Sequence, residues 1–136
     1  MKWILSLIIG TTMLSLNSPP IDQALRILRI VESNNNPNAT GDNGKAIGIY
    51  QIHRAYHHDA LEFNPSIGGT YKDCFNPKYA EKVVRAYMDR YCTEARLGHK
   101  PTIEDICRIH NGGPYGYRKE STLPFWSKCK WLVKKR

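Results

Sequence analysis

The chain is predicted to fold as one α+β domain, predominantly helical, with a single small β-hairpin. Three observations lead there. Apolar residues recur at three-four spacing in 21–32 and again in 77–91, which is the period of a helix with one buried face. Between them, a stretch dense in Asn, Gly and Asp is followed by a short apolar run at 46–52, the pattern of a hairpin arm. The whole chain has 136 residues, enough for one core and too few for two comfortable ones.

Lys2 precedes an apolar run at 3–9 that resumes weakly at 13–16, so residues 1–18 read as a secretory signal and 19–136 as the domain. A retained N-terminal anchor is the alternative, because Ser15-Leu16-Asn17 fits the small-residue cleavage pattern only loosely. Stable insertion in a membrane is not expected. The first helix carries Ile21, Ala24, Leu25, Leu28 and Val31 on one face, with Ile27 and Ile30 widening the stripe, and Glu32 closes it. The stretch 34–44 cannot continue that helix: Pro37 lacks a donor, and Gly41 and Gly44 admit positive φ. Residues 46–52 then read as a strand, the second arm of a hairpin whose tip is Asp42-Asn43-Gly44. Residues 77–91 and 101–109 read as helices, Asn111-Gly112-Gly113-Pro114 breaks the chain, and 123–133 reads as a last, short, basic helix.

The formal charge of +8 is concentrated late, in Lys128, Lys130, Lys134, Lys135 and Arg136. It suits an anionic polymer or surface, or serves as a solvated tail. No Gly-rich phosphate loop or nucleic-acid motif accompanies it, so nucleic acid is not expected as a partner. Cys74, Cys92, Cys107 and Cys129 form an even set that favours disulfides in an exported protein. Three pairings are open; Cys92 with Cys107 would staple two consecutive helices across the turn at 98–101. No CxxC pair argues for zinc, and His53, His57 and His58 lack the regular spacing of a ligand frame. No metal or cofactor is expected.

A carboxyl at the end of an apolar helix is desolvated in its charged form, so its pKa rises and it can hold a proton for general acid catalysis. Glu32 is that group. Cleaving a glycosidic bond needs such an acid and a second carboxylate, in an unlike environment, near the developing oxocarbenium ion. Asp42 supplies the contrast, although an Asp in a Gly-Asp-Asn-Gly turn also serves simply as a turn former. Asp59 and Glu62 are a rival acidic pair without the helix-end context.

Glu32-Ser33 with Pro37, Ala39, Gly44, Ala46, Gly48 and Gln51-Ile52 resembles the first motif of lysozyme-like domains, lytic transglycosylases among them. His110-Asn111-Gly112-Gly113-Pro114 resembles their second. Tyr87-Met88, Arg90-Tyr91, the run 108–116, Lys119, Ser121-Thr122 and Phe125-Trp126 are closer still to invertebrate-type, destabilase-like lysozymes. The resemblance implies a lysozyme-like fold with its hairpin beside a catalytic cleft, Glu32 as the acid and Asp42 as the second carboxylate. It also implies that a secreted enzyme hydrolyses the β-1,4 bond between N-acetylmuramic acid and N-acetylglucosamine in bacterial peptidoglycan, an anionic wall. Tyr50, Tyr56, His58 and Tyr115 are candidates for stacking on sugars or for packing. Gln51, His110, Asn111 and Gly112 are candidates for holding substrate, or, for His110, for orienting Glu32, and for Asn111, for capping the broken chain. Departures from the family pattern are the low cysteine count, with Cys74 alone at a family position, and His53 after Gln51-Ile52 where isopeptidase-active relatives carry lysine. The rival readings are a transglycosylase that leaves anhydro-muramyl ends with Glu32 alone, and a non-catalytic cationic protein that binds bacteria.

Overall fold

A computed structural model describes residues 19–135; the expected signal segment 1–18 and Arg136 lie outside them. Helix α1 (Pro20–Ser33) begins on a proline, whose fixed φ suits the first helical position. It buries Ala24, Leu25, Ile27 and Leu28. Its end is set by asparagines in place of glycine. Asn34 and Asn35 adopt φ of 52° and 61°, and their amides donate to the carbonyls of Ile30 and Arg29 at 2.8 and 2.9 Å.

The hairpin is shorter than its sequence pattern suggests. Strands β1 (Thr40–Gly41) and β2 (Ala46–Ile47) pair antiparallel with Gly41 opposite Ala46. The tip between them runs through left-handed Asp42, Asn43 and Gly44. The expected strand over 46–52 stops at Ile47, because Gly48 and Gln51 take φ of 77° and 51° and turn the chain back. Ile47 bridges Ile52 across that turn, which drives Ile49 and Tyr50 into the core. Gly48 is obligatory there: a Cβ would sit 2.2 Å from the Cys74 carbonyl oxygen.

Helix α2 (Arg54–Phe63) was not expected from the sequence. Its buried face is Tyr56, His57 and Ala60, a pattern in which a polar-looking histidine and a lone alanine hide the helical period. Helix α3 (Pro77–Tyr91) matches its expected span and starts on Asn76, whose side-chain oxygen accepts from the Lys78 and Tyr79 amides. A one-turn helix α4 (Glu94–Leu97) leads to α5 (Ile103–Gly112), which opens on a reciprocal Thr102–Asp105 capping box. Helix α6 (Leu123–Lys134) is the expected basic helix and covers α1 and α5.

Leu28, Ile49, Tyr50, Ile52, Val83, Val84 and Ile109 form the centre of the core. All four cysteines are buried thiols, so the expected disulfides are not formed. Cys107 has its thiol contact with Cys129 of α6 instead of with Cys92, because the packing of α5 on α6 brings those two side chains together. No helix among the described residues is long and apolar enough to cross a membrane.

Candidate active site

Glu32 sits in the last turn of α1, with its side chain 18% exposed. Burial pushes its carboxyl up to about 7, against the opposing pull of the Lys128 ammonium from α6. A carboxyl in that state is half protonated at neutrality and can give its proton away. The next residue secures the helix end. Ser33 Oγ donates to the Ile49 carbonyl at 2.8 Å and accepts from the Asn36 amide, clasping α1 to the turn after β2.

His110 faces Glu32 from α5, Nε2 to Oε2 3.9 Å. It is not a salt bridge. Burial pulls the imidazole down to about 4, opposed by its bond to the Tyr50 carbonyl. That carbonyl can only accept, so Nε2 carries the proton at 2.9 Å, and Nδ1 is left to accept from the Tyr56 hydroxyl at 2.9 Å. Tyr56 in turn stacks on Tyr87 of α3 with ring centroids 3.7 Å apart. A neutral, fixed imidazole thus closes one wall beside the Glu32 carboxyl. With only 3% of its side chain exposed, it supports that wall and offers little to a ligand.

Asp42 projects from the hairpin tip with a side chain 61% exposed, 3.6 Å from His53 Nε2 at the start of α2. The two acids therefore occupy opposite environments, one desolvated and one wet. Gln51 is drawn inward to the hairpin: Nε2 donates to the carbonyls of Ala39 and Gly48 at 3.1 and 2.9 Å. A Cβ at Gly41 would fall 2.5 Å from its Oε1. Ser33, Gly41, Gly48 and Gln51 accordingly form a clasp that fixes the Asp42 loop against the end of α1.

The aromatic candidates separate by burial. Tyr50 is 1% exposed and Tyr56 is stacked in the core, so neither ring offers a face for a sugar to cover. Burial also raises the Tyr50 phenol to about 12 and holds Tyr56 well above the usual range. His58 is 75% exposed on the outer side of α2 near Asp59 and Glu62. Those acids are tied to α3: Glu62 pairs with Arg90 at 2.9 Å, and Asp59 accepts from the Tyr91 hydroxyl at 3.3 Å. The rival acidic pair is thus a surface ion network. His57 Nε2 lies 2.9 Å from the Tyr79 hydroxyl, so the three neighbouring histidines point to three different partners. Tyr115 is 51% exposed, with Arg96 and Arg118 over its ring.

In the second motif, Asn111 is exposed on the last turn of α5. Gly112 leaves no room for a side chain, since a Cβ would meet Thr122 Cγ2 at 2.3 Å, and its carbonyl accepts from Lys119 Nζ at 2.7 Å. Sequence reasoning missed the group that organises this corner. Arg108 is buried and donates to Thr122 Oγ1, Glu104 Oε2 and the Lys119 carbonyl, each at 2.9 Å. Lys128 was missed as a neighbour of Glu32; its only signal was membership of a basic helix.

A mostly helical α+β domain, with a desolvated Glu at the end of its first helix and an exposed Asp on a neighbouring hairpin tip, defines the lysozyme-like class. The destabilase family model matches residues 22–131, and the chain belongs to that family. It is 37% identical over 107 residues to lysozyme 1 of Crassostrea virginica, covering 76% of this chain and 55% of that protein. It is 40% identical over 82 residues to a lysozyme of Magallana gigas, covering 60% and 56% respectively. The matches span little more than half the length of these two relatives. The crystal structure of Tapes japonica lysozyme superposes with a TM-score of 0.70 at 27% identity, covering 87% of this chain and 96% of that one. Meretrix lusoria lysozyme, in its complex with Aeromonas hydrophila PliI, gives 0.70 at 28% identity, with coverage of 87% and 96%.

Proposed function

We propose that the protein is a secreted lysozyme that hydrolyses β-1,4 bonds between N-acetylmuramic acid and N-acetylglucosamine in bacterial peptidoglycan. The observation that carries this reading is the Glu32 carboxyl, buried at the end of α1 and raised to about 7. Protonated Glu32 donates to the glycosidic oxygen as the bond from C1 breaks, and the leaving sugar departs as an alcohol. Asp42, on the exposed hairpin tip, stabilises the positive charge that develops at C1. Water then adds to C1 and returns a proton to Glu32. His110, neutral and locked by Tyr50 and Tyr56, keeps a second positive charge away from the proton donor. His58, Asn111 and Tyr115 are the candidate substrate contacts that remain exposed to a glycan. The relatives named lysozyme agree in substrate class.

A second reading has an observation of its own. Asp42 is exposed and faces His53 at 3.6 Å, so a reaction that uses Glu32 alone, with the muramyl 6-hydroxyl as nucleophile, is chemically open. Mass spectrometry of digested peptidoglycan separates the readings: reducing ends support hydrolysis, anhydro-muramyl ends support transglycosylation, and an undigested wall with intact binding supports a non-catalytic cationic protein.

A further inference from the structure

Behind the hairpin tip lies a hollow of about 380 Å³, bounded by Asn43, Lys45, His53, Arg54, Ala55 and Tyr71. Tyr71 organises two cations on its rim, Lys45 and Arg54. The Tyr71 hydroxyl is shared between the Ile52 and Lys45 carbonyls at 2.7 and 2.9 Å, which pins the Lys45 backbone to the end of the Gly48–Ile52 turn. The Arg54 guanidinium lies over the same ring, 4.5 Å from its centroid. Among the described residues, neither Lys45 nor Arg54 has a carboxylate within ion-pair distance, while His53 is engaged with Asp42. The hollow thus holds two positive charges set by one tyrosine, next to the loop that carries Asp42.

We infer that this hollow is a subsite for the free carboxylates of the peptide stem on N-acetylmuramic acid. The inference rests on the proposed lysozyme reading and adds to it a preference for peptide-bearing glycan. The chemistry selects that ligand. A stem peptide leaves through the lactyl ether on C3 of the same muramic ring whose C1 bond is cut, and ends in carboxylates, whereas an N-acetylglucosamine polymer carries no charge. Lys45 supplies a point charge and Arg54 a planar fork able to take a carboxylate by two parallel N–H bonds. Arg54, already held on Tyr71, has less freedom to lose on binding.

The test is binding of N-acetylmuramyl-tetrapeptide, which contains no glycosidic bond to cleave, followed by chemical shifts of the Lys45, Arg54 and Tyr71 amides. The expected result is perturbation of those three signals in the wild-type protein, and an affinity about tenfold lower in Lys45→Met/Arg54→Gln. The same peptide with its carboxylates amidated should bind equally weakly to both proteins. Unchanged melting temperature in the double variant, whose two sites are exposed, ties the loss to charge and not to folding. Equal binding of the free and amidated peptides overturns the inference, as does a glycerol-phosphate oligomer binding here more tightly than the peptide, which would make the hollow a phosphate site. Kinetics supply the second arm: the loss in kcat/KM of the double variant should be about tenfold greater on peptide-bearing glycan than on neutral chitooligosaccharide. Wild-type protein that binds the free peptide at these residues yet cleaves no glycan would defeat the lysozyme reading and leave the subsite standing.

Discussion

Glu32 and His110 approach to 3.9 Å across the junction of α1 and α5 without forming an ion pair, because burial favours the neutral form of each, raising the carboxyl to about 7 and lowering the imidazole to about 4. A folded pKa of about 7 in place of 4.5 means that the folded chain holds the Glu32 proton more tightly than the unfolded chain. Stability from this group therefore falls as pH rises between about 4.5 and 7. For His110, a folded pKa of about 4 in place of 6.5 means that the unfolded chain takes up the proton first, so its contribution rises with pH between about 4 and 6.5. The two trends oppose each other over nearly the same window.

Glu32→Gln removes only one of them. The amide keeps the shape and is never ionised, so the variant should match wild type near pH 4 and exceed it above pH 7, by about 3 kcal/mol at most from a shift of this size. The same variant should lose wall-lytic activity by at least ~100-fold, the usual share of general acid catalysis. Thermal melts across pH 4 to 8 and a turbidity assay check both outcomes. Near-normal turnover in a folded variant would remove Glu32 from the mechanism.

A working acid must be protonated, so hydrolysis should decline as pH rises through about 7. The Lys128 charge holds the Glu32 pKa below where burial alone would set it. Lys128→Met should therefore move the falling limb of the kcat/KM profile to higher pH on a neutral oligosaccharide, where electrostatic capture of substrate does not enter. A limb that stays in place, or moves to lower pH, would show that Lys128 does not act on the proton donor.

Much of this arrangement was legible in the sequence, for reasons that can be named. The three-four spacing over 21–32 and the turn formers after it announce a helix that ends at a carboxyl, and α1 ends one residue beyond Glu32. The resemblance supplied Gln51 and Gly112 as substrate contacts, but their amide and backbone groups are used by the hairpin and by Thr122 and Lys119. Motif residues can be fixed by packing as firmly as by chemistry, and spacing does not tell the two apart. Tertiary neighbours were hidden: nothing in a one-dimensional pattern puts Lys128 beside Glu32 or Cys129 beside Cys107, since both meetings are made by α6 folding back over α1 and α5.

Asp42→Asn separates the two catalytic readings. A lysozyme that uses Asp42 for charge stabilisation should lose much of its rate, about 100-fold for a preorganised electrostatic contact. A transglycosylase working through Glu32 alone should lose little. Full activity with reducing-end products would mean that another acid fills the role, and the engagement of Asp59 and Glu62 with α3 directs that search elsewhere.

Gly48→Ala should damage the clasp that holds the hairpin. The residue has φ of 77°, and an added Cβ would meet the Cys74 carbonyl oxygen at 2.2 Å, where backbone must move to make room. A destabilisation of about 3 kcal/mol is expected from the strain and the displaced turn together. Hydrogen exchange at the Gln51 and Ile52 amides should rise before that of α3. A variant with wild-type melting temperature would show that the turn yields freely.

Activity on whole bacteria should weaken with salt more steeply than activity on a short neutral chitooligosaccharide. Lys128, Lys130, Lys134 and Lys135 crowd α6 and the residue after it, and Lys135 lies over the exposed Trp131 ring at 3.8 Å. These charges reach an anionic wall only over the screening length, about 8 Å at physiological ionic strength. Removing Lys134, Lys135 and Arg136 should flatten the salt curve on cells. The falling limb of the pH profile on the small substrate should stay where Glu32 and Lys128 set it. Superimposable salt curves for cells and oligosaccharide would show that the basic helix aids solubility and does not hold the enzyme on its target.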